Sequence, residues 1–326
     1  MADVEIVEVS PRDGFQAVKA LIPTEAKLAL VEGLAVCGFP RIEIGSFVSP
    51  RAVPQMADTP DIVRRARLPA STRVMALVPN ARGLALALDA GNVVGQVNWV
   101  LSVTESHNRA NVNRSVEESL GDFAAAWRGL GANRPLLRLS LSTCFDCPWE
   151  GRVPEAAVVR CVERVIAAAP DVEIAICDTT GRAATNHVGS LLGRLLAAYA
   201  SDRVRFAFHG HDTYGLGVAN AIEAYRRGVR IIDGAAGGLG GCPFAPGAAG
   251  NTASEDLVFA FEHMGVATGV DFSRLLAAAD RVAAVAPDQS GGKLRAVPRR
   301  RALSGFGGQS RGVRNEGPTA QTQVSS

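Results

Sequence analysis

Residues 172–211 read VEIAICDTTGRAATNHVGSLLGRLLAAYASDRVRFAFHGH. Two short runs rich in β-branched and aromatic residues, Val172–Cys177 and Val204–His209, have the composition of strands. The run between them, Val188–Ala200, repeats its apolar residues at helical spacing. A strand, a helix and a strand in this order require parallel pairing through a crossover helix. The stretch therefore predicts one βαβ unit.

The same alternation extends outward in both directions from this unit. Six further strand-like runs are Val4–Val9, Ile42–Ser46, Arg73–Val78, Val97–Ser102, Leu136–Leu141 and Ile231–Gly234. Helical patterns cover Thr24–Cys37, Pro60–Arg67, Ala81–Ala90, Val116–Leu130, Pro154–Ala168 and Leu216–Arg227. Eight βα units in about 240 residues predict an α/β protein with a (β/α)8 TIM barrel. An open, doubly wound parallel sheet is the alternative.

Beyond the eighth strand the pattern changes twice. Ser254–Met264 and Phe272–Ala286 are helical patterns, which we interpret as the eighth barrel helix and an extra C-terminal helix that caps the barrel. From Gly291 onward Gly, Arg, Ser, Gln and Thr dominate without periodicity, which predicts disorder. We therefore expect a barrel domain at residues 1–290 and a basic, disordered tail at residues 291–326.

Composition excludes several classes of protein. With 47% hydrophobic and 20% charged residues, the 326-residue chain is neither disordered nor collagen-like. No run of 18 apolar residues occurs and the first residues lack a signal-peptide pattern, so we expect a cytoplasmic protein without membrane association. The formal net charge is +2, and the tail from Lys293 to Ser326 carries one Lys, six Arg and one Glu. The remainder is mildly acidic, so no nucleic-acid partner is expected.

Six scattered cysteines and no secretion signal predict reduced thiols. The only close pair is Cys144 and Cys147, which lacks a second pair or a neighbouring histidine. We interpret it as structural or as lining of a site rather than as a zinc ligand pair. His107, His187 and His263 have no clustered partners and are predicted to lie at the surface.

Polar residues collect where the predicted strands end. They are Arg12, Asp13 and Gln16 after the first strand, Glu43 and Ser46 in the second, Asp178 and Thr179 after the sixth, His209 and His211 at the seventh, and the segment 237–251 after the eighth. In TIM barrels the active site lies at this C-terminal face. The coincidence predicts an enzyme.

The sequence His209-Gly210-His211 predicts a metal site. Side chains two residues apart on a strand point the same way, so both imidazoles can reach one ion. Asp13 is the natural carboxylate and Asn251 can supply an amide oxygen. This mixed set suits Mg²⁺ or Mn²⁺, with Zn²⁺ possible because there are two imidazoles.

Two further residues are candidates for the chemistry itself. Cys242 lies in a loop with four glycines, Gly237 to Pro243, and could transfer a proton from a mobile lid. The alternative is a packing cysteine in a loop that cradles substrate. Arg12 can stabilise an oxyanion, or it can form a structural salt bridge with Glu43 or Asp178.

Several motifs together resemble one known family, the hydroxymethylglutaryl-CoA lyases, over residues 4–285. The motifs are Ser10-Pro11-Arg12-Asp13-Gly14-Phe15-Gln16, Ile42-Glu43 through Ser46-Phe47-Val48-Ser49-Pro50, Val53-Pro54-Gln55-Met56, His209-Gly210-His211-Asp212-Thr213-Tyr214-Gly215 and Gly238-Leu239-Gly240-Gly241-Cys242-Pro243-Phe244-Ala245. This family is built on a TIM barrel. The resemblance implies divalent-metal-dependent retro-Claisen cleavage of 3-hydroxy-3-methylglutaryl-CoA to acetyl-CoA and acetoacetate, in leucine or related branched-acid breakdown, by a homodimer.

The resemblance also implies roles for individual residues. The metal ligands are Asp13, His209, His211 and Asn251; the catalytic candidates are Arg12, Asp13, Glu43, Asp178 and Cys242, with Glu8 as a further site residue; the candidates for binding the acyl-CoA substrate are Arg12, Gln16, Lys19 and Thr179. Arg12 would stabilise the enolate and Cys242 would protonate it. Lys19 would meet the CoA phosphates.

The chain also departs from the family pattern. Ala17-Val18 replaces the usual Asn-Glu, and Ala175-Ile176-Cys177 replaces Ser-Leu-Gly before Asp178. Gly45 replaces a commoner Thr, which predicts a larger acyl region. A related branched 3-hydroxyglutaryl-type thioester is therefore an alternative substrate. An isopropylmalate-synthase-like condensing enzyme and a non-catalytic barrel are further alternatives.

Overall fold

A computed structural model describes residues 2–90, 94–131, 134–241 and 250–304. Eight parallel strands close into a barrel in the order β1-β8-β7-β6-β5-β4-β3-β2. They are β1 Glu5–Glu8, β2 Arg41–Ser46, β3 Arg73–Val78, β4 Gln96–Ser102, β5 Leu136–Ser142, β6 Val172–Asp178, β7 Val204–Gly210 and β8 Ile231–Gly234. The prediction of a TIM barrel is confirmed, and the open sheet is wrong because β1 pairs with both β8 and β2.

Helices surround the barrel. They are α1 Thr24–Ala35, α2 Thr59–Arg65, α3 Ala81–Asp89, α4 Glu105–Val112, α5 Val116–Arg128, α6 Glu155–Ala168, α7 Thr185–Tyr199, α8 Gly217–Arg227, α9 Ser254–His263, α10 Phe272–Ala283 and α11 Arg299–Ala302. Sequence periodicity missed α4 because its sequence, ESHNRANV, is polar on most sides. None of the helices in the described part of the chain is long and apolar enough to cross a membrane.

The barrel interior combines small apolar residues with charged ones. Val7, Met75, Ala175, Ala207 and Ile231 belong to one buried cluster inside the barrel. A second, larger apolar core fills the space between the strands and the surrounding helices. Burying apolar surface at about 25 cal/mol per Å² makes these two cores the main stabilising contribution.

The lower part of the barrel holds a buried ionic network. Arg41 and Glu173 are both fully buried, and Arg41 Nη1 lies 2.6 Å from Glu173 Oε1. Arg41 Nη2 lies 2.6 Å from Glu5, and Arg41 Nη1 donates to Gln96 at 2.9 Å. Arg138 Nη1 approaches Glu173 at 3.4 Å. Each of these buried charges thus has an opposite charge beside it, which a buried charge requires.

The C-terminal segment is fastened to the barrel. Gly291 N donates to Gly237 O at 2.9 Å, and Lys293 N donates to Asp256 at 2.8 Å. Ala302 in α11 is buried. The prediction of disorder from residue 291 is therefore wrong for residues 291–304. It rested on local composition, which does not show that these residues bond to groups distant in sequence, such as Gly237 and Asp256. The remainder of that prediction, residues 305–326, lies outside the described residues.

Candidate active site

The loop that follows β1 presents Arg12 and Asp13. Residues Ser10–Gly14 form a single π-helical turn directly after the strand, with Pro11 at its start. Such turns are rare and often occur at functional sites. Arg12 Nη1 pairs with Asp13 Oδ1, and both side chains are mostly buried. Burial acts to raise the pKa of Asp13, but the charge of Arg12 and the nearby histidines lower it below its usual range.

The two histidines of β7 lie beside this carboxylate. His209 Nε2 lies 3.7 Å and His211 Nε2 lies 3.8 Å from Asp13 Oδ2. Ligand atoms of these three residues all lie within 4.8 Å of one another. Burial is the main cause of a lowered pKa for His211, which favours the neutral imidazole that metals bind. The three side chains can share one divalent cation.

Asn251, the fourth ligand expected from the sequence, is a neighbour of His211 in the backbone pairing. His211 and Asn251 form an isolated antiparallel bridge, which places them side by side. The Asn251 amide nitrogen donates to Leu239 O at 3.1 Å, whereas its Oδ1 is buried without a hydrogen-bond partner. An orphaned buried oxygen on the residue that bridges to His211 fits a metal site.

A chain of hydrogen bonds from residues on the barrel strands fixes the side chain of Arg12. Arg12 Nε donates to Glu43 at 2.6 Å, and Asn98 Nδ2 donates to the other Glu43 oxygen at 2.7 Å. Ser140 Oγ in turn donates to Asn98 at 2.9 Å. Of the two salt-bridge partners suggested for Arg12, the structure therefore brings Glu43 to it. Because both Glu43 oxygens are occupied, this carboxylate orients Arg12.

A cavity of about 420 Å³ opens above these groups. Of the residues singled out from sequence, its lining includes Arg12, Asp13, Gln16, Cys177, Thr179, His209 and His211. Glu43 reaches the cavity through Arg12. Lys19 is exposed and is not part of the lining. Cys242 lies outside the described residues, but Gly241, which precedes it, lines the cavity.

Comparison with known proteins identifies this arrangement. A family model described as HMGL-like matches residues 3–282. The chain belongs to the HMGL-like family. It is 40% identical to (R)-citramalyl-CoA lyase of Chloroflexus aurantiacus, over 87% of this chain and 91% of that one. It is 39% identical to a hydroxymethylglutaryl-CoA lyase of Bacillus subtilis, over 85% of this chain and 91% of that one.

A solved structure agrees with these relatives. An HMG-CoA lyase from Acinetobacter baumannii, in complex with coenzyme A and 3-methylmalate, superposes with a TM-score of 0.83 at 34% identity. The alignment covers 90% of this chain and 94% of that one. The resemblance inferred from the motifs is therefore confirmed, and the chain is a lyase.

In this HMGL-like lyase the side chain of Asp178 does not line the cavity. Its Oδ2 accepts a hydrogen bond from Ala183 N at 3.1 Å, and its Oδ1 is buried without a partner. Burial raises the pKa of Asp178 to about 7. The neighbouring Cys177 does line the cavity, because successive residues of a strand face opposite sides.

Two buried carboxyl groups anchor the glycine loop of the lyase at its start. Glu8 accepts hydrogen bonds from Ser10 N at 2.8 Å and Ala236 N at 3.1 Å. Glu255, which the sequence analysis missed, accepts one from Gly237 N at 3.0 Å. Burial raises the pKa of Glu255 to about 8 and also raises that of Glu8. These groups act on the backbone that leads to Gly241, outside the cavity.

Two further residues near the cavity, Asp233 and His107, were not predicted from the sequence. Asp233 on β8 contacts His209. The sequence signal that could have revealed Asp233 is that it is an acidic residue within an otherwise apolar strand. His107 lines the cavity, and burial lowers its pKa to about 4. The prediction that His107 and His187 lie at the surface is wrong, since both are buried; α4 carries His107, and α7 carries His187.

Gly45 does not enlarge the acyl region. A Cβ placed at Gly45 would lie 2.6 Å from Thr59 Oγ1, so that space is already filled by a side chain of α2. Thr59 Oγ1 also accepts a hydrogen bond from Ser46 N at 3.1 Å. The register of β2 against β3 shifts between Glu43 and Gly45. This irregularity turns position 45 toward the helices, and a sequence pattern does not reveal it.

Proposed function

We propose that this lyase cleaves 3-hydroxy-3-methylglutaryl-CoA to acetyl-CoA and acetoacetate with a bound Mg²⁺ or Mn²⁺. One observation carries the proposal: Asp13, His209 and His211 present ligand atoms within 4.8 Å of one another at the floor of the cavity that Arg12 lines. The unpartnered oxygen of Asn251 supports the same metal site.

The residues divide the work between holding a cation and stabilising charge. Asp13, His209, His211 and Asn251 would hold the cation. A divalent cation supplies a Lewis acid that acidifies a coordinated hydroxyl group and polarises an acyl oxygen. Asp13 contributes as a carboxylate because Arg12 beside it keeps its pKa low.

Arg12 stabilises the charge that develops when the carbon–carbon bond breaks. A general base takes the tertiary hydroxyl proton, and the oxygen's electron pair forms the ketone carbonyl of acetoacetate. Cleavage of C2–C3 leaves the bonding pair on the thioester half as an enolate. The guanidinium of Arg12 remains charged, and Glu43 fixes its direction through Nε. A fixed positive charge at the enolate oxygen is worth about 10²–10³-fold in rate.

A proton must then reach the enolate carbon to give acetyl-CoA. We assign this step to Cys242, supported by the position of Gly241 in the cavity lining. We assign substrate binding to Gln16 and Thr179, because both line the same cavity. Lys19 is exposed in the segment that follows β1, and we assign it to contacts with the CoA phosphates.

The test is turnover of 3-hydroxy-3-methylglutaryl-CoA by metal-loaded, reduced protein, with acetoacetate and acetyl-CoA followed separately. We expect cleavage that disappears with a chelator and in Cys242→Ala. Folded, metal-loaded protein that does not cleave this thioester would overturn the substrate assignment.

A shorter substrate is the second candidate, because one relative is named an (R)-citramalyl-CoA lyase. Citramalyl-CoA lacks one methylene of the glutaryl chain and yields pyruvate in place of acetoacetate. The side chain of Cys177 at the cavity wall favours this reading, since it occupies space beside the reacting groups. Pyruvate as the main product would select this candidate, and net condensation would select a synthase.

We also infer that the enzyme acts as a cytoplasmic homodimer in leucine or related branched-acid breakdown. The support is its similarity to lyases that act on thioesters of this kind. Light scattering of the purified protein tests the dimer, and growth of a deletion strain on leucine tests the pathway.

A further inference from the structure

We propose that Asp233 and Arg138 are positioning residues that fix the imidazole of His209 with its Nε2 directed at the cation. This inference rests on the proposed metal site. It concerns two charged residues inside the barrel that do not line the cavity and have no part in the mechanism above.

The contact between Asp233 and His209 sets the orientation of the ring. Asp233 Oδ2 lies 2.9 Å from His209 Nδ1, and both residues are nearly buried. The two residues are direct register partners on β8 and β7. A carboxylate acceptor at Nδ1 places the ring proton there, so the lone pair of Nε2 remains for a ligand. This Nε2 is the atom that lies 3.7 Å from Asp13.

Arg138 binds the same oxygen of this carboxylate. Its Nη2 donates to the same Asp233 oxygen at 2.6 Å, and its side chain is fully buried. Arg138 lies on β5, so it crosses the barrel interior past β6 and β7 to reach β8. The small side chains of Ala175 and Ala207 on these two strands leave room for it. A buried arginine in this position keeps Asp233 charged and in place.

His211 provides an internal contrast. Its Nδ1 is buried without a hydrogen-bond partner, so no carboxylate fixes its ring from behind. The two imidazoles therefore face the same site, but only that of His209 is oriented by a carboxylate at Nδ1. Loss of Asp233 should act through His209 alone.

The primary test is the Mn²⁺ dissociation constant of the metal-free protein, measured by electron paramagnetic resonance without substrate. We expect Asp233→Asn to weaken Mn²⁺ binding by about 10–100-fold, as is typical for such partners of metal ligands. The matched control is Glu5→Gln, at the far end of the buried ionic network, which should leave the affinity unchanged. Equal affinity in Asp233→Asn and the unchanged protein would overturn the proposal.

A double-variant comparison identifies the path of the effect. In a His209→Gln background, Asp233→Asn should weaken Mn²⁺ binding no further. In a His211→Gln background it should still weaken binding. Full additivity in both backgrounds would overturn the proposal, because Asp233 would then act through the general fold.

A measurement on the unchanged protein covers the case in which the variants do not fold. The ¹⁵N spectrum of histidine-labelled, metal-free protein at pH 8 should show His209 protonated at Nδ1, and Mg²⁺ should shift its Nε2 signal. Protonation at Nε2 instead would overturn the proposal. Absence of any metal binding to the unchanged protein would overturn the proposed function itself, which separates the two failures.

Discussion

The upper and lower parts of the barrel interior both bury polar groups, but they satisfy them differently. In the lower part Arg41 meets Glu5, Gln96 and Glu173 at 2.6–2.9 Å. In the upper part Asn251 Oδ1 and His211 Nδ1 have no partner, and the histidine nitrogens stop 3.7 and 3.8 Å from Asp13. The charged groups of the lower part are paired with opposite charges and can be called closed groups. The groups of the upper part that we assign to the cation lack such partners among the described residues and can be called open groups.

The strongest challenge to this contrast is to remove an open group. We expect His211→Gln to lower kcat by about 10³-fold or more, because the cation that we propose it holds would contribute several kcal/mol of charge stabilisation. The melting temperature of the metal-free protein should change by less than about 4 °C. Steady-state kinetics and calorimetry measure the two effects.

The control for this variant is His263→Gln, which alters an exposed histidine far from the cavity in α9. It should retain full activity. If His211→Gln unfolds the metal-free protein, then the upper groups also support the fold and the contrast fails.

Removing a closed group should lower the stability of the protein and leave its kcat nearly unchanged. We expect Arg41→Met to lower the free energy of unfolding by about 3–5 kcal/mol, because Glu173 loses its nearest buried partner. The kcat of the folded protein at 25 °C should stay within about threefold of the original. Urea denaturation and turnover on the same preparation test this pair of expectations.

The matched variant is Arg205→Met, which removes a half-exposed arginine 3.6 Å from the same carboxylate. Solvent screens that interaction, so the cost should stay below about 1 kcal/mol. Equal destabilisation by both variants would show that burial of the pair does not matter.

Asp178 is a buried carboxyl group without an opposite charge beside it in the described part of the chain, so its effect on stability should depend on pH. Burial raises its pKa to about 7 from 3.8, so the folded state holds the proton more tightly than the unfolded state. Its contribution to stability is therefore complete below pH 3.8 and is lost as pH rises toward 7. Above pH 7 we expect Asp178→Asn to be more stable than the unchanged protein by about 4 kcal/mol, since each pKa unit corresponds to about 1.4 kcal/mol. Denaturation at pH 5 and pH 8 checks the sign: equal stability at pH 8 would contradict it.

The smallest expected effect concerns substrate choice. Cys177 is the register partner of His209 and lines the cavity. Removing its sulfur in Cys177→Ala should shift the ratio of kcat/KM toward the longer acyl chain by about 10-fold, the usual worth of a methylene-sized space. The comparison uses 3-hydroxy-3-methylglutaryl-CoA and citramalyl-CoA.

Cys144→Ala is the control, because this buried thiol lies outside the cavity lining. The same shift in both variants would show that the side chain of Cys177 does not determine which acyl group is preferred. A ratio unchanged in Cys177→Ala would assign the choice to another part of the wall.

Local sequence predicts much of this fold and part of the site. The barrel strands are found to within one residue, as for Val204–His209 against Val204–Gly210, because their apolar composition reflects burial. The cluster of Asp13, His209 and His211 is also predictable, since strand ends of a barrel meet at one face.

Other features depend on contacts between distant strands and carry no local signal. Asp233 and Arg138 are 95 residues apart in sequence, and only the closed barrel brings them together. The helix α4 was missed because its sequence is mostly polar, and with it the buried position of His107. The outward turn of Gly45 depends on a register shift.

That turn couples positions 45 and 59. The three atoms nearest to a Cβ placed at position 45 all belong to Thr59, so this side chain occupies the volume that any side chain at position 45 would need. A threonine at position 45 therefore requires a smaller residue, such as glycine or alanine, at position 59. Gly45→Thr should destabilise the protein alone and be tolerated together with Thr59→Gly. The two positions form one shared slot, so substitutions there should be inherited as a pair.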